Sequence, residues 1–187
     1  VRVYADGENG RAVMFAYGKD HTLTHRGDVQ ALGDNGIAVS FDFGPNSRGD
    51  ATGYRGSYIL STYDSTPQKD AQIWSELNGA LVSSFDLTGR VAGKKAAIFM
   101  SENAYVEDIN VMQGAHISGD IISDYSELDD NHNLRLTQLR FGLEADEEGR
   151  ATHHADANFA IGYAGNIVGQ NISFQALGGT SVLTGNH

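Results

Sequence analysis

Ile37-Ala38-Val39-Ser40-Phe41-Asp42-Phe43 places apolar side chains at every odd position and small or polar ones between them. A period of two sends alternate residues to opposite faces, so this run predicts a half-buried β-strand. The same alternation marks Val13-Met14-Phe15-Ala16-Tyr17, Ala96-Ala97-Ile98-Phe99-Met100, Phe159-Ala160-Ile161-Gly162-Tyr163 and Ile172-Ser173-Phe174-Gln175-Ala176. Short apolar segments at 81–87, 105–112 and 134–143 bring the expectation to about ten strands of ordinary length. Helical periodicity is confined to Asp70-Ala71-Gln72-Ile73-Trp74-Ser75-Glu76-Leu77-Asn78-Gly79, with Asp70 as N-cap and Gly79 just past the end. The chain reads as all-β.

Four short motifs recur between these runs: Arg26-Gly27-Asp28-Val29, Thr88-Gly89-Arg90-Val91, Ser118-Gly119-Asp120-Ile121 and Ala164-Gly165-Asn166-Ile167. Each predicts a corner where Gly adopts a backbone closed to other residues and the next apolar side chain turns inward. Recurrent corners between short strands suit a β-solenoid, in which each coil packs only on its neighbours. Their irregular spacing also suits a β-sandwich. The tight hairpin signature is clean only at Asp34-Asn35-Gly36, which favours the solenoid.

The chain has 187 residues, enough for one domain with a real core. Lacking cysteine, it has no disulfide, thiolate metal site or cysteine nucleophile. A net charge of −11 repels phosphate backbones and anionic lipid, which argues against nucleic acid and membrane surfaces as partners. With 23 Gly and 2 Pro, the composition favours tight turns within ordered structure over a disordered linker. No run approaches the ~18 apolar residues of a membrane helix. Val1–Asp6 shows no signal-peptide pattern and no initiator Met, so an internal piece of a longer chain is expected.

The runs Gly79–Gly89, Ala97–Val106 and Ile109–Ile121, together with Arg11–Gly18 and Asn35–Gly44, resemble the passenger sequence of bacterial autotransporters. They are most similar to the region between a subtilisin-type protease domain and the outer-membrane barrel. The resemblance covers most of the chain, through scaffold patterns and not catalytic signatures. It implies a right-handed parallel β-helix over residues 1–187, one solenoid segment of a longer passenger, secreted or held at the surface of a Gram-negative-type bacterium. It also implies a non-catalytic stalk or spacer whose folding supports export. Its partners would be its own upstream passenger domain and downstream barrel.

Few residues suggest chemistry. Gly179-Thr180-Ser181 resembles the start of a subtilisin nucleophile motif, but Val182-Leu183-Thr184-Gly185 follows without the Ala and Pro that motif needs. No catalytic residue is assigned. Two acidic stretches, Asp124–Asn133 and Glu144–Gly149, fall between strands. They are expected to be solvated loops, or to offer oxygen ligands to calcium through Asp124, Asp129 and Asp130. No other cofactor is implied. A polysaccharide-active β-helix using such carboxylates is one alternative function. His153-His154, with Asp156 nearby, would point to opposite faces of a strand and not chelate together. Arg-Gly-Asp occurs twice, at Arg26–Asp28 and Arg48–Asp50, against roughly 0.1 copies expected from composition. The second copy follows Gly44-Pro45-Asn46-Ser47, a loop by composition. Arg48, Gly49 and Asp50 are therefore the candidate residues of a second alternative, an adhesin that binds a host surface receptor.

Overall fold

Alternating residues in the chain become columns of side chains. The computed structural model describes residues 1–45, 56 and 66–187. Among them are the strands β1 (Arg2–Tyr4), β2 (Arg11–Phe15), β3 (His21–His25), β4 (Asp28–Ala31), β5 (Ile37–Phe41), β6 (Val82–Leu87), β7 (Arg90–Gly93), β8 (Ala96–Met100) and β9 (Val106–Met112). They are followed by β10 (His116–Ser118), β11 (Ile121–Ser123), β12 (Thr137–Ala145), β13 (Ala151–Ala155), β14 (Ala160–Tyr163), β15 (Ile167–Val168), β16 (Ile172–Ala176) and β17 (Thr180–Leu183). One helix, α1 (Pro67–Leu77), lies between β5 and β6. The fold is all-β.

Successive strands visit three sheets in rotation. The first sheet is ordered β1-β4-β7-β10, the second β2-β5-β8-β11-β15, and the third β3-β6-β9-β12 with β13 and β16 both on β12. All pairs are parallel except β12–β13, and β14 pairs β17 separately in parallel. Register partners are 26 residues apart in β1–β4, β2–β5 and β7–β10, the spacing that also separates Asn9 from Asn35. Between Asp28 and Arg90 the step lengthens to 62, because the chain makes an excursion through α1 before rejoining the ladder at β6.

Parallel register stacks like on like, with local shifts only near His21 in β3–β6 and beyond Phe141 in β9–β12. Val3, Val29, Val91 and Ile117 form one inward column in the first sheet. Val13, Val39, Ile98, Ile121 and Ile167 form another in the second. Leu23, Phe85, Ile109, Leu139 and Phe174 do so in the third. Apart from the exposed Phe174, these columns meet in a single core; Phe15 and Phe41 stack within the second sheet at 5.5 Å between ring centroids, and Phe41–Phe85 at 5.9 Å ties the second sheet to the third.

Several expectations change. Strand β5 is buried on both faces, because outward Ser40 is sunk between the larger Met14 and Phe99 that flank it in register. Helix α1 begins at Pro67, three residues before the expected N-cap, since Pro fits the first helical position and Thr66 precedes it. There are seventeen strands among the described residues, not about ten. Among the missed ones β1, β10 and β15 have two or three residues, too few to show a period, while β3 and β13 have five but almost no large apolar side chains. Asn35-Gly36 joins strands of different sheets and makes no hairpin.

The four Gly corners divide into two kinds. Gly27 and Gly89 lead into first-sheet strands, whereas Gly119 and Gly165 lead into second-sheet strands. Only Gly119 has positive φ, at 110°. The others are glycine for want of space. Arg90 N donates to Gly27 O at 2.9 Å, drawing one corner onto the next, so a Cβ at Gly89 would overlap that carbonyl. Gly165 lies over Gly119 O in the same way, and Gly185 over Gly165 O.

The column model makes a graded prediction. Ile98→Ala empties a fully buried site and should cost about 2–5 kcal/mol. Val13→Ala, in the same column but half-buried on the outermost circuit, should cost about 1 kcal/mol or less. Urea denaturation of both variants checks the order; equal losses would refute a core that deepens toward the middle circuits.

Candidate functional site

The corner that leaves the second sheet repeats on three circuits. Asp42 N donates to Phe15 O at 3.0 Å, Ser101 N to Phe41 O at 2.9 Å and Asp124 N to Met100 O at 2.9 Å. Asp42, Ser101 and Asp124 therefore occupy equivalent places one strand apart, a rise of ~4.8 Å per circuit. With Glu102, Phe99, Gly44, Pro45 and Ser126 they line a groove of about 480 Å³. A second groove of about 440 Å³ shares Asp124 and Ser126 and continues to Val168, Gly169 and Gln170. The two form one furrow crossing four circuits.

Buried amides hold its floor. Asn103, wholly buried, donates from Nδ2 to Gly44 O at 2.8 Å and accepts from Ser101 Oγ at 2.6 Å. Asn171, also wholly buried, accepts from Ser123 Oγ at 2.6 Å. Each side chain bonds across neighbouring circuits or across the corner, so the furrow wall is fixed by the same bonds that stack the strands. The lining offers the carboxylates of Asp42, Glu102 and Asp124 beside the Phe99 ring. Such a surface can accept hydroxyl donors or a cation while an apolar ring face packs alongside. Sequence reading singled out Asp124 but missed Asp42 and Glu102. The available signal was that Asp42 and Asp124 each directly follow the last residue of a strand.

The other acidic residues bond to their own turns. Asp129 lies on the β11–β12 connection, where Leu128 and Leu134 bridge antiparallel. Its Oδ1 accepts from Asn131 N at 2.8 Å and Asn133 N at 2.9 Å. Asp130 is exposed beside it. Asp124 thus belongs to the furrow and Asp129 to a closed turn. No group of three or more His, Asp and Glu suited to a metal is found among the described residues. In the second acidic stretch, at the β12–β13 tip, Asp146 accepts from Glu148 N and Arg150 N at 2.9 Å each. These backbone bonds, Arg150's first, hold the Asp146 carboxyl below the usual range. His153 and His154 are both exposed on β13.

The first Arg-Gly-Asp copy is built into the sheet. Asp28 accepts from Tyr4 Oη at 2.5 Å and Arg90 Nη1 at 2.6 Å, and Arg26 Nη1 donates to Glu147 O at 3.3 Å. Arg48, Gly49 and Asp50 lie outside the described residues. Ser181 Oγ, the superficial nucleophile, is buried within β17 and has no hydrogen-bond partner, so no base activates it.

Asp28 also sets a pH dependence. The Tyr4 hydroxyl, then the Arg90 guanidinium, hold its carboxyl below the ordinary range. A depressed folded pKa stabilises the protein above the unfolded value and loses that contribution as pH falls through the folded one. Asp28→Asn should therefore be less stable than the parent at neutral pH, with the gap closing below about pH 4. Thermal melts across that range test this, and a gap that persists unchanged into strong acid would exclude the ion pair as its source.

Comparison with protein-family models, with curated proteins and with solved structures finds no match.

Proposed function

We propose that the chain is a segment of a right-handed parallel β-helix, serving as a non-catalytic spacer in a secreted or surface-attached autotransporter passenger. The observation that supports this reading is the rotation of parallel strands through three sheets, with inward columns that run to β10 in the first sheet and on to β15 and β16 in the other two. The hand follows from the strong preference of parallel crossovers for the right-handed form. At one end Val3, Val13 and Leu23 are only half-buried, and a cavity of about 430 Å³ lined by Val1, Val3, Val13 and Val29 opens there. At the other, Phe174 and Val182 are 37% and 53% exposed. Strands β1, β2 and β3 pair on one side only. Open ladder edges and unfinished apolar columns are what neighbouring passenger coils would complete.

In this role the passenger domain upstream and the barrel downstream are the partners, the outer surface of the bacterium is the site of action, and no cofactor takes part. Coil-by-coil growth on an existing edge lets folding proceed as the chain emerges. The adhesin alternative rests on Arg48, Gly49 and Asp50. The polysaccharide alternative finds its best support in Asp42, Glu102 and Asp124 of the furrow.

Amide hydrogen exchange separates this architecture from a sandwich. Protection should peak in β8 and β9, which have neighbours on both sides, and fall toward β1–β3 and β15–β17. Strong protection at both termini of a monomer would rule the β-helix out.

The spacer role has its own test. Fused between a reporter domain and an autotransporter barrel, the chain should deliver the reporter to the cell surface, scored by its accessibility to added protease. Gly89→Asp, which forces a side chain into the Gly27 carbonyl, should reduce delivery severalfold. Delivery unaffected by that change would sever export from folding of this segment.

A further inference from the structure

Asn-Gly occurs three times, at Asn9-Gly10, Asn35-Gly36 and Asn78-Gly79. At such a pair the Gly amide nitrogen can attack the Asn side-chain carbonyl carbon. A new N–Cγ bond closes a succinimide, the Cγ–Nδ2 bond breaks, and the amide proton leaves with ammonia. Water then opens the ring to aspartate or isoaspartate. Ring closure needs a releasable Gly N–H, a side-chain amide free to turn, and room for the backbone to rotate. All three asparagines are exposed, so exposure alone does not rank them.

Two of the sites are locked together. Gly10 N donates to Gly7 O at 3.1 Å and Gly36 N to Gly33 O at 2.9 Å, so both nucleophiles are engaged. Asn35 Nδ2 donates to Asn9 Oδ1 at 2.6 Å, which fixes both side-chain amides. Arg11 Nη1 clamps the main chain, donating to Asn9 O at 3.0 Å and Asn35 O at 2.8 Å. The backbone has no slack either, because a Cβ at Gly10 or Gly36 would strike Ala5 O or Ala31 O. Asn78-Gly79 differs in setting. It follows the last residue of α1 and belongs to no strand, and among the described residues nothing but its own chain neighbours lies within 4 Å of where a Gly79 Cβ would stand.

We propose that Asn78 is a spontaneous modification site, converted through a succinimide to aspartate and isoaspartate with water as the only co-reactant, while stacking of the two other corners protects Asn9 and Asn35. The position matters to the fold. Leu77 and Leu81, both 1% exposed, flank the pair and anchor α1 and the start of β6 in the core. Isoaspartate carries the main chain through the former side chain, adding a methylene between those anchors and one negative charge to the surface.

The test is peptide mapping by mass spectrometry of the full chain, aged at mildly alkaline pH both folded and in guanidinium chloride. Enzymatic methylation identifies isoaspartate. In the folded protein Asn78 should convert at least about tenfold faster than Asn9 or Asn35, whose reaction must wait for local opening. In denaturant the three rates should converge to within a few-fold. Asn78→Gln should remove the dominant product and leave the other two peptides unchanged. Equal rates in the folded chain, or an Asn78 that reacts only when unfolded, would overturn the proposal.

Discussion

Everything in this fold follows from one spacing. Parallel strands must rise ~4.8 Å per circuit for their amides to bond, and the corners between strands have to rise by the same amount. At the strands the demand is easily met, since side chains stand away from the ladder. At the corners it brings backbone over backbone, as where His116 N donates to Gly89 O at 3.0 Å and Arg90 N to Gly27 O at 2.9 Å. At Gly89 a side chain is excluded because the Gly27 carbonyl below occupies the space a Cβ would take, whereas the next circuit carries Ala115 at the equivalent place. Once the corners are level, the valine and isoleucine columns need no further instruction.

The same rise explains why an acidic chain is not simply an acidic surface. Each corner leaves amides that the next circuit does not meet, and short aspartate side chains reach them. Asp6 accepts from Leu32 N, Asp120 from Asn166 N, and Asp156 from Asn158 N, each at 2.9 Å. Asn166 continues the series by accepting from Asn186 N at 2.9 Å. Asp108 instead pairs with Arg140 at 3.0 Å along an outward column of the third sheet. Much of the charge of −11 is thus committed to turns and ladders, where a carboxylate replaces a missing backbone partner.

Legibility in the sequence tracks this division of labour. Strands rich in large apolar side chains announced themselves, and β8 and β16 have the bounds that alternation gives, whereas the polar five-residue strands β3 and β13 did not. Period was harder to see. Gly7-Glu8-Asn9-Gly10 and Gly33-Asp34-Asn35-Gly36 are the same corner one circuit apart, yet the long step through α1 breaks the repeat before a third copy can establish it. The Gly-polar-aliphatic motif was legible as a corner, but its two kinds share one local pattern and differ in the sheet they lead into. Acidic loops were the least legible feature. A carboxylate that closes its own turn and one that awaits a ligand look alike until the neighbouring amides are placed, which is why Asp129 stood out while Asp42 did not.

Two excursions interrupt the rotation of strands; the first returns to register, and after the second the chain rejoins the second and third sheets at β15 and β16 while β14 pairs separately with β17. Leu23 pairs with Phe85 across 62 residues in the same register that joins Phe85 to Ile109. Loop closure grows only slowly with length, by about 0.6 kcal/mol per doubling, so a circuit can lengthen freely if it lands again in register. Both excursions are then fastened to the sheets. Tyr17 Oη donates to Glu76 at the end of α1, and the β12–β13 hairpin is held by Ala151 N on Asp86 at 3.1 Å and by Arg26 on its tip. The acidic furrow begins where the first excursion leaves the ladder, with Gly44 and Pro45 in its wall and Asn103 bonding the carbonyl of Gly44. Changes in that excursion can therefore reshape the furrow without touching a single core column. Corners and excursions, not columns, are where this architecture has freedom to acquire a ligand.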